Sequence, residues 1–463
     1  MKPVLLIDFG STYTKLTAVD VEGEQILGTA ASYTTVQTDI NDGLRNGLAL
    51  LEQKIGKVDF AETYACSSAA GGLRMVASGL VPELTSEAAK LASLGAGAKV
   101  VGLYSFQLTE DDLEQIRELK PDIFLLVGGT DGGNSACIEH NAKMLASLQP
   151  QFPIVIAGNR SAARTCQRLL EGCEVYVCPN VMPKFGMLNI EPTQKQIREI
   201  FLNRIIQAKG LSAATELLSD IMMPTPAAVM QAMELLSEGC DGELGIGDLV
   251  AVDVGGATTD VYSIADGMPA AMNTVYKGLV EPFSKRTVEG DIGMRYSVHG
   301  ILEAAGADRI SKISGIPRRR VEQMVDHLRQ HTDCVPNGDA ELESLDHALA
   351  AMAIETAVAR HAGTMEETYT LMGLTYVQSG KNLTHVKQIV VTGGSLIHTQ
   401  KTAEIAKYAQ YSPLQPMSLR PKEADVWVDR PYILAAMGLI SQRYPQAALR
   451  IMKKELEHYG HSE

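Results

Sequence analysis

Aromatic residues are scarce in this chain, 5% of 463 residues with a single tryptophan. No apolar run reaches the roughly 18 to 20 residues that a membrane-spanning helix needs. In "MKPVLLIDFG" the charge of Asp8 cuts the apolar stretch before it attains signal-peptide length. The cytoplasm is therefore the expected location, and no membrane partner is expected. Basic clusters are also lacking. The 41 Lys and Arg stand against 55 Asp and Glu, a formal charge of −14 that argues against holding a nucleic-acid backbone. The one basic run, residues 318–320 in "GIPRRRVEQ", predicts the solvated start of a helix. The seven cysteines form no Cys-x-x-Cys pair and are odd in number, which gives no zinc or iron–sulfur ligand set and fits reduced thiols. A Walker-type loop is missing, so the chain is not a P-loop ATPase.

What the chain has is length and apolar content: 45% hydrophobic residues over 463 positions predict two to four domains, each with its own core. "PVLLIDFG", "TKLTAVDV" and "GEQILGTAAS" read as three strands joined by hairpin-length connections, followed by a helix over 39–53. From about 100 to 181 apolar strands alternate with amphipathic helices, the pattern of a parallel sheet covered on both faces. This predicts a small inserted α/β subdomain over 95–182. Residues 193–240 read as helical and rich in Leu and Met, with the methionines as core filler. At 248–264, "DLVAVDVGGATTDVYSI" repeats the form of the opening, which suggests two related domains. Helices are expected from about 290 to 374, then a last strand, a "TGGS" turn and a helix.

Three turns carry the chemistry. A bound triphosphate needs inward-pointing N–H groups, hydroxyl donors, a cation, and carboxylates for magnesium, and glycine lets the backbone come close. "DFGSTYTK" offers Asp8, Gly10, Ser11, Thr12 and Lys15. "DVGGATTD" offers Asp253, Gly255, Gly256, Thr258, Thr259 and Asp260. "VVTGGSL" presents Gly393, Gly394 and Ser395 where a flat base or sugar could approach. Any one of these turns alone would more often be structural than functional.

The set, in this order, resembles the superfamily of sugar kinases, heat-shock-type chaperone ATPases and actins. That resemblance implies an α/β fold of two ribonuclease-H-like domains around a nucleotide cleft, here with the inserted parallel subdomain. It implies a first lobe over 1–245, a second over 246–430, and a hinge helix over 431–463 returning to the first. It assigns the nucleotide ATP with Mg2+, with Asp8 and Asp253 organising the metal and the attacking water, Asp260 as a further magnesium ligand, and Lys15 reaching the β- and γ-phosphates. "VEGDIGMR" at 288–295 resembles the first connecting segment, and "PYILAAMGLI" at 431–440 the second, whose small residues let helices cross closely.

A narrower resemblance rests on "ACSSAAGGLRMVASGLV", "DIFLLVGGTDGGN", "IAGNRSA", "CPNVMP" and "VEGDIGMR", which together are similar to the glutamate mutase accessory proteins called GlmL or MutL. Members accompany adenosylcobalamin-dependent mutases and aminomutases. The implied role is an ATP-dependent, chaperone-like reactivating factor that releases damaged cobalamin, with mutase subunits as partners and a homodimer compatible with it. A small-molecule kinase and a polymerising actin-like ATPase of the same fold are the alternatives. No D-x-H-x-x-G occurs, so the corrinoid is expected on the partner enzyme. The turn at 127–134, with Thr130, Asp131 and Asn134, reads equally as a ligand site or a tight structural turn, and His140 and His398 read as polar helix residues. The role of the 66–76 segment, with Arg74, stays open.

Overall fold

An apolar run bounded by turns and only seven residues long suits a strand covered on both faces, and in the computed structural model it forms β1 (Pro3–Phe9), buried throughout. The structure describes residues 1–10, 13–33, 40–68, 73–208, 222–271, 273–370 and 373–460. Two compact units divide the chain: Met1–Ala232 with Ala435–Ala448, and Met233–Leu434 with Leu449–Glu463.

In the first unit β1 pairs antiparallel with β2 (Tyr13–Asp20), and β2 with β3 (Gln25–Tyr33). Helix α1 (Ile40–Ile55) follows, and β4 (Glu62–Ser67) then runs parallel to β1. The chain next leaves this sheet to build a second one. It passes through β5 (Arg74–Gly79), α2 (Glu87–Gly95), β6 (Lys99–Ser105), α3 (Glu110–Leu119), β7 (Ile123–Leu126), α4 (Ala136–Ser147), β8 (Ile154–Ile156), α5 (Arg160–Leu169) and β9 (Val175–Val177). These strands are parallel, in the order β6-β5-β7-β8-β9. Continuous apolar strands bury Val76, Phe124 and Ile154 against Ile138, Leu145 and Cys166 of the helices. The sheet begins at Arg74, earlier than the expected boundary at 95, because β5 lies between β6 and β7 as an interior strand.

Helix α6 (Glu191–Ala208) returns the chain toward the first sheet. A three-residue strand, β10 (Met222–Pro224), joins β4 in parallel, and α7 (Thr225–Glu238) starts directly after it. This strand interrupts the stretch expected to be helical over 193–240, and "MMP" is too short to carry a strand period. The finished sheet reads β10-β4-β1-β2-β3.

The second unit opens with a ribbon, β11 (Gly239–Cys240) and β12 (Glu243–Leu244), followed by β13 (Leu249–Val254), β14 (Thr259–Ile264), β15 (Thr274–Lys277) and β16 (Ser284–Glu289). Four helices follow: α8 (Val298–Ala305), α9 (Ala307–Ser314), α10 (Arg318–Gln330) and α11 (Ala340–His361). The basic run does open α10, where Arg318 and Arg320 are exposed and paired with acids. The expected helical stretch ends at His361, not at 374. Beyond it β17 (Thr364–Thr370) and β18 (Gly373–Ser379) form a small sheet with β15, since Thr and Tyr recurring along this segment suit a pleated strand. The chain ends with β19 (Gln388–Thr392), α12 (Gly394–Ile397), α13 (Thr402–Ala406), β20 (Asp425–Val428), α14 (Leu434–Ile440), α15 (Pro445–Glu455) and β21 (Glu457–Tyr459).

The main sheet of the second unit runs β16-β14-β13-β19-β20-β21. Its first five strands repeat the first unit's sheet in order and direction, an antiparallel meander of three followed by two parallel strands. This is the ribonuclease-H-like order twice over, so the chain has the actin-like ATPase fold class with a parallel insert. The chain passes from the first unit to the second between Ala232 and Met233, inside α7. Residues 288–295, by contrast, lie wholly within the second unit. They therefore make no connection between units, contrary to their resemblance to the first connecting segment. Arg443 and Tyr444 bond back to Tyr64 and Glu62 at the start of β4, which fastens the returning C-terminal segment to the first unit.

A buried polar chain lies in the second unit. His361, fully buried, bonds Thr287 Oγ1 and Ser263 Oγ, each at 2.8 Å, and Lys381 Nζ reaches Ser263 Oγ at 3.3 Å and the Phe283 carbonyl at 2.5 Å. Burial, reinforced by the neighbouring Lys285 charge, pulls the Lys381 ammonium down to about 7, against the opposing pull of Glu281, Asp248 and Asp266. An unfolded lysine keeps its proton to about 10.5, so between about 7 and 10.5 the unfolded chain binds more protons and folding stability rises with pH. We expect Lys381→Met to remove on the order of 2 kcal/mol of the stability gained by the wild type between pH 7 and pH 9.5. Urea unfolding of both proteins at the two pH values measures it, and equal gains would refute a buried, depressed lysine.

Candidate functional site

The two opening hairpins share one local geometry. Gly10 N–H donates to the Tyr13 carbonyl at 3.1 Å, and Gly255 N–H to the Thr258 carbonyl at 2.9 Å. In each turn an aspartate stands two residues before this glycine, near the end of the strand, and is paired across the ladder with the residue seven positions later. That partner is Lys15 for Asp8 and Asp260 for Asp253. A parallel strand flanks each aspartate on its other side, placing Cys66 beside Asp8 and Thr392 beside Asp253. Ser11 and Thr12 lie outside the described residues.

Asp8 is buried, and its two oxygens have different partners. Oδ1 accepts from the Thr225 hydroxyl at 2.6 Å and from the Cys66 thiol at 3.4 Å. Oδ2 faces Lys15 Nζ at 3.4 Å, and the lysine side chain keeps 26% of its surface in solvent. Burial, and then the charge of Asp8, push the Cys66 thiol well above its ordinary value, so it stays protonated as a donor. Sequence reasoning missed both Thr225 and Cys66. Thr225 lies 217 residues from Asp8, and only the parallel pairing of β10 with β4 brings it to this end of the sheet.

In the second turn the charge arrangement is different. Asp260 Oδ1 accepts from Nε of Arg286 at 2.8 Å and from its Nη2 at 2.5 Å, and Oδ2 faces the Thr258 hydroxyl at 3.4 Å. Arg286 is buried, and although desolvation is the largest single influence and pulls its pKa down, the charge of Asp260, the neighbouring Tyr262 and their hydrogen bonds together hold it above the ordinary value and keep it charged. One oxygen of Asp260 is thus committed to a structural ion pair. Thr259 is fully buried and donates to the Ile292 carbonyl at 3.0 Å. The backbone after β16 clamps this turn: Met294 N–H bonds the Gly255 carbonyl, and the N–H groups of Arg295 and Tyr296 bond that of Gly256. Arg295 itself is anchored on Asp346 by two parallel bonds of 3.1 and 2.7 Å. Gly256 stays exposed, with only the Tyr296 ring near the place a side chain would take.

The third turn divides its two glycines by role. Gly393 has φ +111°, and a Cβ there would lie 2.3 Å from the Val254 carbonyl, so the turn packs on the end of β13. Gly394 is exposed and nothing lies within 4 Å of its Cβ position, while Ser395 is half-buried. Gly393→Ala should therefore cost ~2 kcal/mol or more, and Gly394→Ala should cost little. Denaturant unfolding of the two variants checks this, and equal losses would contradict the division. Beneath the turn Asp429 accepts from Thr392 Oγ1 at 3.2 Å and from the backbone N–H groups of Ile433 and Leu434.

Other singled-out residues have structural partners. In the turn at 127–134, Asp131 N–H bonds the Pro183 carbonyl, Gly132 N–H bonds Asn159 Oδ1 and Gly133 N–H bonds the Thr130 carbonyl. Asn159 and Asn180, both buried, stitch this loop to those after β8 and β9. Three N–H groups of the turn are thus spent on the protein, and the loop is latched to its neighbours. Arg74 donates to the Leu119 carbonyl at the end of α3, and a ring nitrogen of His140 lies 3.0 Å from the Leu108 carbonyl. His398 is exposed. Among the described residues no three His, Cys, Asp or Glu side chains converge as a metal site, and no helix is long and apolar enough to cross a membrane.

Comparison with solved structures finds loose overlays. The ligand-bound xylulose kinase of Lactobacillus acidophilus is 11% identical with TM-score 0.36, covering 99% of this chain and 93% of the kinase. The activator of 2-hydroxyisocaproyl-CoA dehydratase from Clostridium difficile, with bound ADPNP, is 9% identical with TM-score 0.35, covering 99% of each chain. At these scores the strand order, not the overlay, carries the fold. Sequence comparison is far closer. Protein MutL of Clostridium tetanomorphum is 48% identical over 460 residues, 98% of this chain and 99% of the relative. The family model described as MutL protein matches residues 4–456, and the chain belongs to that family.

Proposed function

We propose that this protein is an ATP-dependent accessory factor for an adenosylcobalamin-dependent mutase, glutamate mutase or a related aminomutase, coupling its nucleotide state to the release of damaged cobalamin. The observation that carries the nucleotide reading is the repeated hairpin, a carboxylate at a strand end beside a glycine turn, built once in each unit. Membership of the MutL family supports the mutase as the partner.

The donor set fits ATP with Mg2+. Magnesium bound through phosphates needs only one or two carboxylates and keeps several waters, and each unit offers an aspartate for this. The open space at Gly394 suits the flat approach of a base or sugar. Asp8, Gly10 and Lys15, with Ser11 and Thr12, would meet phosphate and metal in the first unit. Asp253, Gly255, Gly256, Thr258 and Thr259 would do so in the second, with Asp260 behind them, and Gly393, Gly394 and Ser395 would border the base. When bound, ATP with magnesium supplies a phosphoanhydride bond and the charge that polarises it. Lys15 keeps a positive charge beside the first turn, where it orients phosphate oxygens. Asp8 in the first unit and Asp253 in the second would each serve to orient magnesium-bound or attacking water. Positioning and charge stabilisation then supply most of the acceleration. The nucleotide drives a change in mutase affinity only by binding two conformations of the protein differently.

The test combines phosphate release with rescue. A candidate mutase inactivated by hydroxocobalamin should raise ATP turnover and recover activity when this protein and ATP are added. Phosphorylation of a small metabolite with no mutase recovery would point to a kinase instead. Nucleotide-dependent sedimentation into polymer would point to a filament-forming protein.

A further inference from the structure

We propose that Thr225 is a positioning residue for the Asp8 carboxylate, fixing it with Oδ1 tied to the protein interior and Oδ2 turned to Lys15. The proposal rests on the reading of Asp8 as a metal-organising residue. Thr225 opens the 14-residue helix α7, and the single proton of its hydroxyl goes to a carboxylate in another strand, at 2.6 Å. This length is that of a charge-assisted O–H···O bond. The Cys66 thiol adds a second donor to the same oxygen at 3.4 Å.

Strand register explains how the three meet. Asp8 stands opposite Cys66, and Cys66 opposite Met223, so Thr225 follows two residues beyond Met223 at the same end of the sheet as the first turn. Rotating the carboxylate would break both bonds to Oδ1. Oδ2, with Lys15 at 3.4 Å, is the oxygen left to face a metal ion or its bound water. Asp8 and Thr225 are both buried or half-buried, and the bond is little diluted by solvent. Lys15 alone would tolerate several carboxylate orientations, because an ammonium is a point charge without a preferred plane.

Thr225→Val keeps the shape of the side chain and removes the hydroxyl, while Thr225→Ser keeps the hydroxyl. Mn2+ binding to the ADP complex, followed by electron paramagnetic resonance, should weaken about tenfold in the valine variant and stay near the wild type in the serine variant. ATP turnover should fall in parallel through kcat, with KM for ATP within about twofold of the wild type. Thermal unfolding should stay cooperative in both variants, the serine variant matching the wild type and the valine variant a few degrees lower for the lost bond, which separates positioning from loss of fold. Should Thr225→Val not fold, Thr225→Ala reads the same contrast. A hydroxyl-free variant that binds Mn2+ as the wild type does, or a serine variant as weak as valine, overturns the role of Thr225 alone. If the wild-type protein with ADP takes up no Mn2+, the reading of Asp8 falls, and the role of Thr225 falls with it.

Discussion

Asp8→Asn is expected to lower ATP turnover by on the order of 10²–10³ while the protein remains folded. Asparagine keeps the size of the side chain and one oxygen to accept from Thr225 and Cys66, so the buried contacts on Oδ1 survive. What disappears is the negative charge that faces Lys15 at 3.4 Å and would act on the magnesium shell. Lys15 is partly exposed and can turn to water, which keeps the stability cost small. Asp253→Asn should have a similar effect, since the second turn repeats the geometry of the first. Asp260→Asn provides the contrast. Its carboxylate is committed to the buried Arg286, so removing its charge strands a guanidinium and should cost ~3 kcal/mol or more in stability. Phosphate release and denaturant unfolding, measured on all three variants, separate these outcomes. Unchanged turnover in both Asp8→Asn and Asp253→Asn would remove the proposed chemistry from these turns.

Gly438→Val is expected to destabilise the first unit by ~3 kcal/mol or more. Even a Cβ at Gly438 would lie 1.8 Å from the Ala228 carbonyl oxygen, inside any permitted contact. Helices α7 and α14 therefore meet backbone to backbone at this point, and the helical carbonyl cannot move aside without breaking α7. Ala227, Ala228 and Ala232 are all buried on α7, so small residues keep the two helices close. Gly438→Ala should lie between glycine and valine, because it adds the first clashing atom but not the branches. Thermal unfolding of the series gives the ranking. A valine variant that melts with the wild type would mean that the close crossing is not part of the stable fold.

Legibility followed from how local each signal was. The alternation of apolar strands with amphipathic helices after residue 100 was readable because each element carries its own period, and the parallel insert appeared there. Its first strand, β5, was harder to place: "RMVASG" is short and small, and its neighbours β6 and β7 come from later in the chain. The strands β17 and β18 were hidden although Gly363 stands just past the end of the 22-residue helix, because the largely exposed, Glu- and Thr-rich "TMEETYT" carries no apolar alternation. The segment at 288–295 resembled a connecting segment, yet its Gly293 serves packing on the second turn, where a Cβ would strike the Ala257 backbone.

By itself the sequence determined the two hairpins, with an aspartate at each strand end, a glycine two residues on, and a cross-strand partner seven residues on. It could do so because hairpin geometry is set by neighbours a few residues apart. Only the tertiary structure decided what each carboxylate touches. Parallel pairing delivers Thr225 and Cys66 to Asp8 from distant segments, and β16 delivers Arg286 to Asp260. Two turns of similar spelling therefore hold their charges differently, because hydrogen-bond partners in a sheet come from strand order, and strand order is not written in any short stretch of chain.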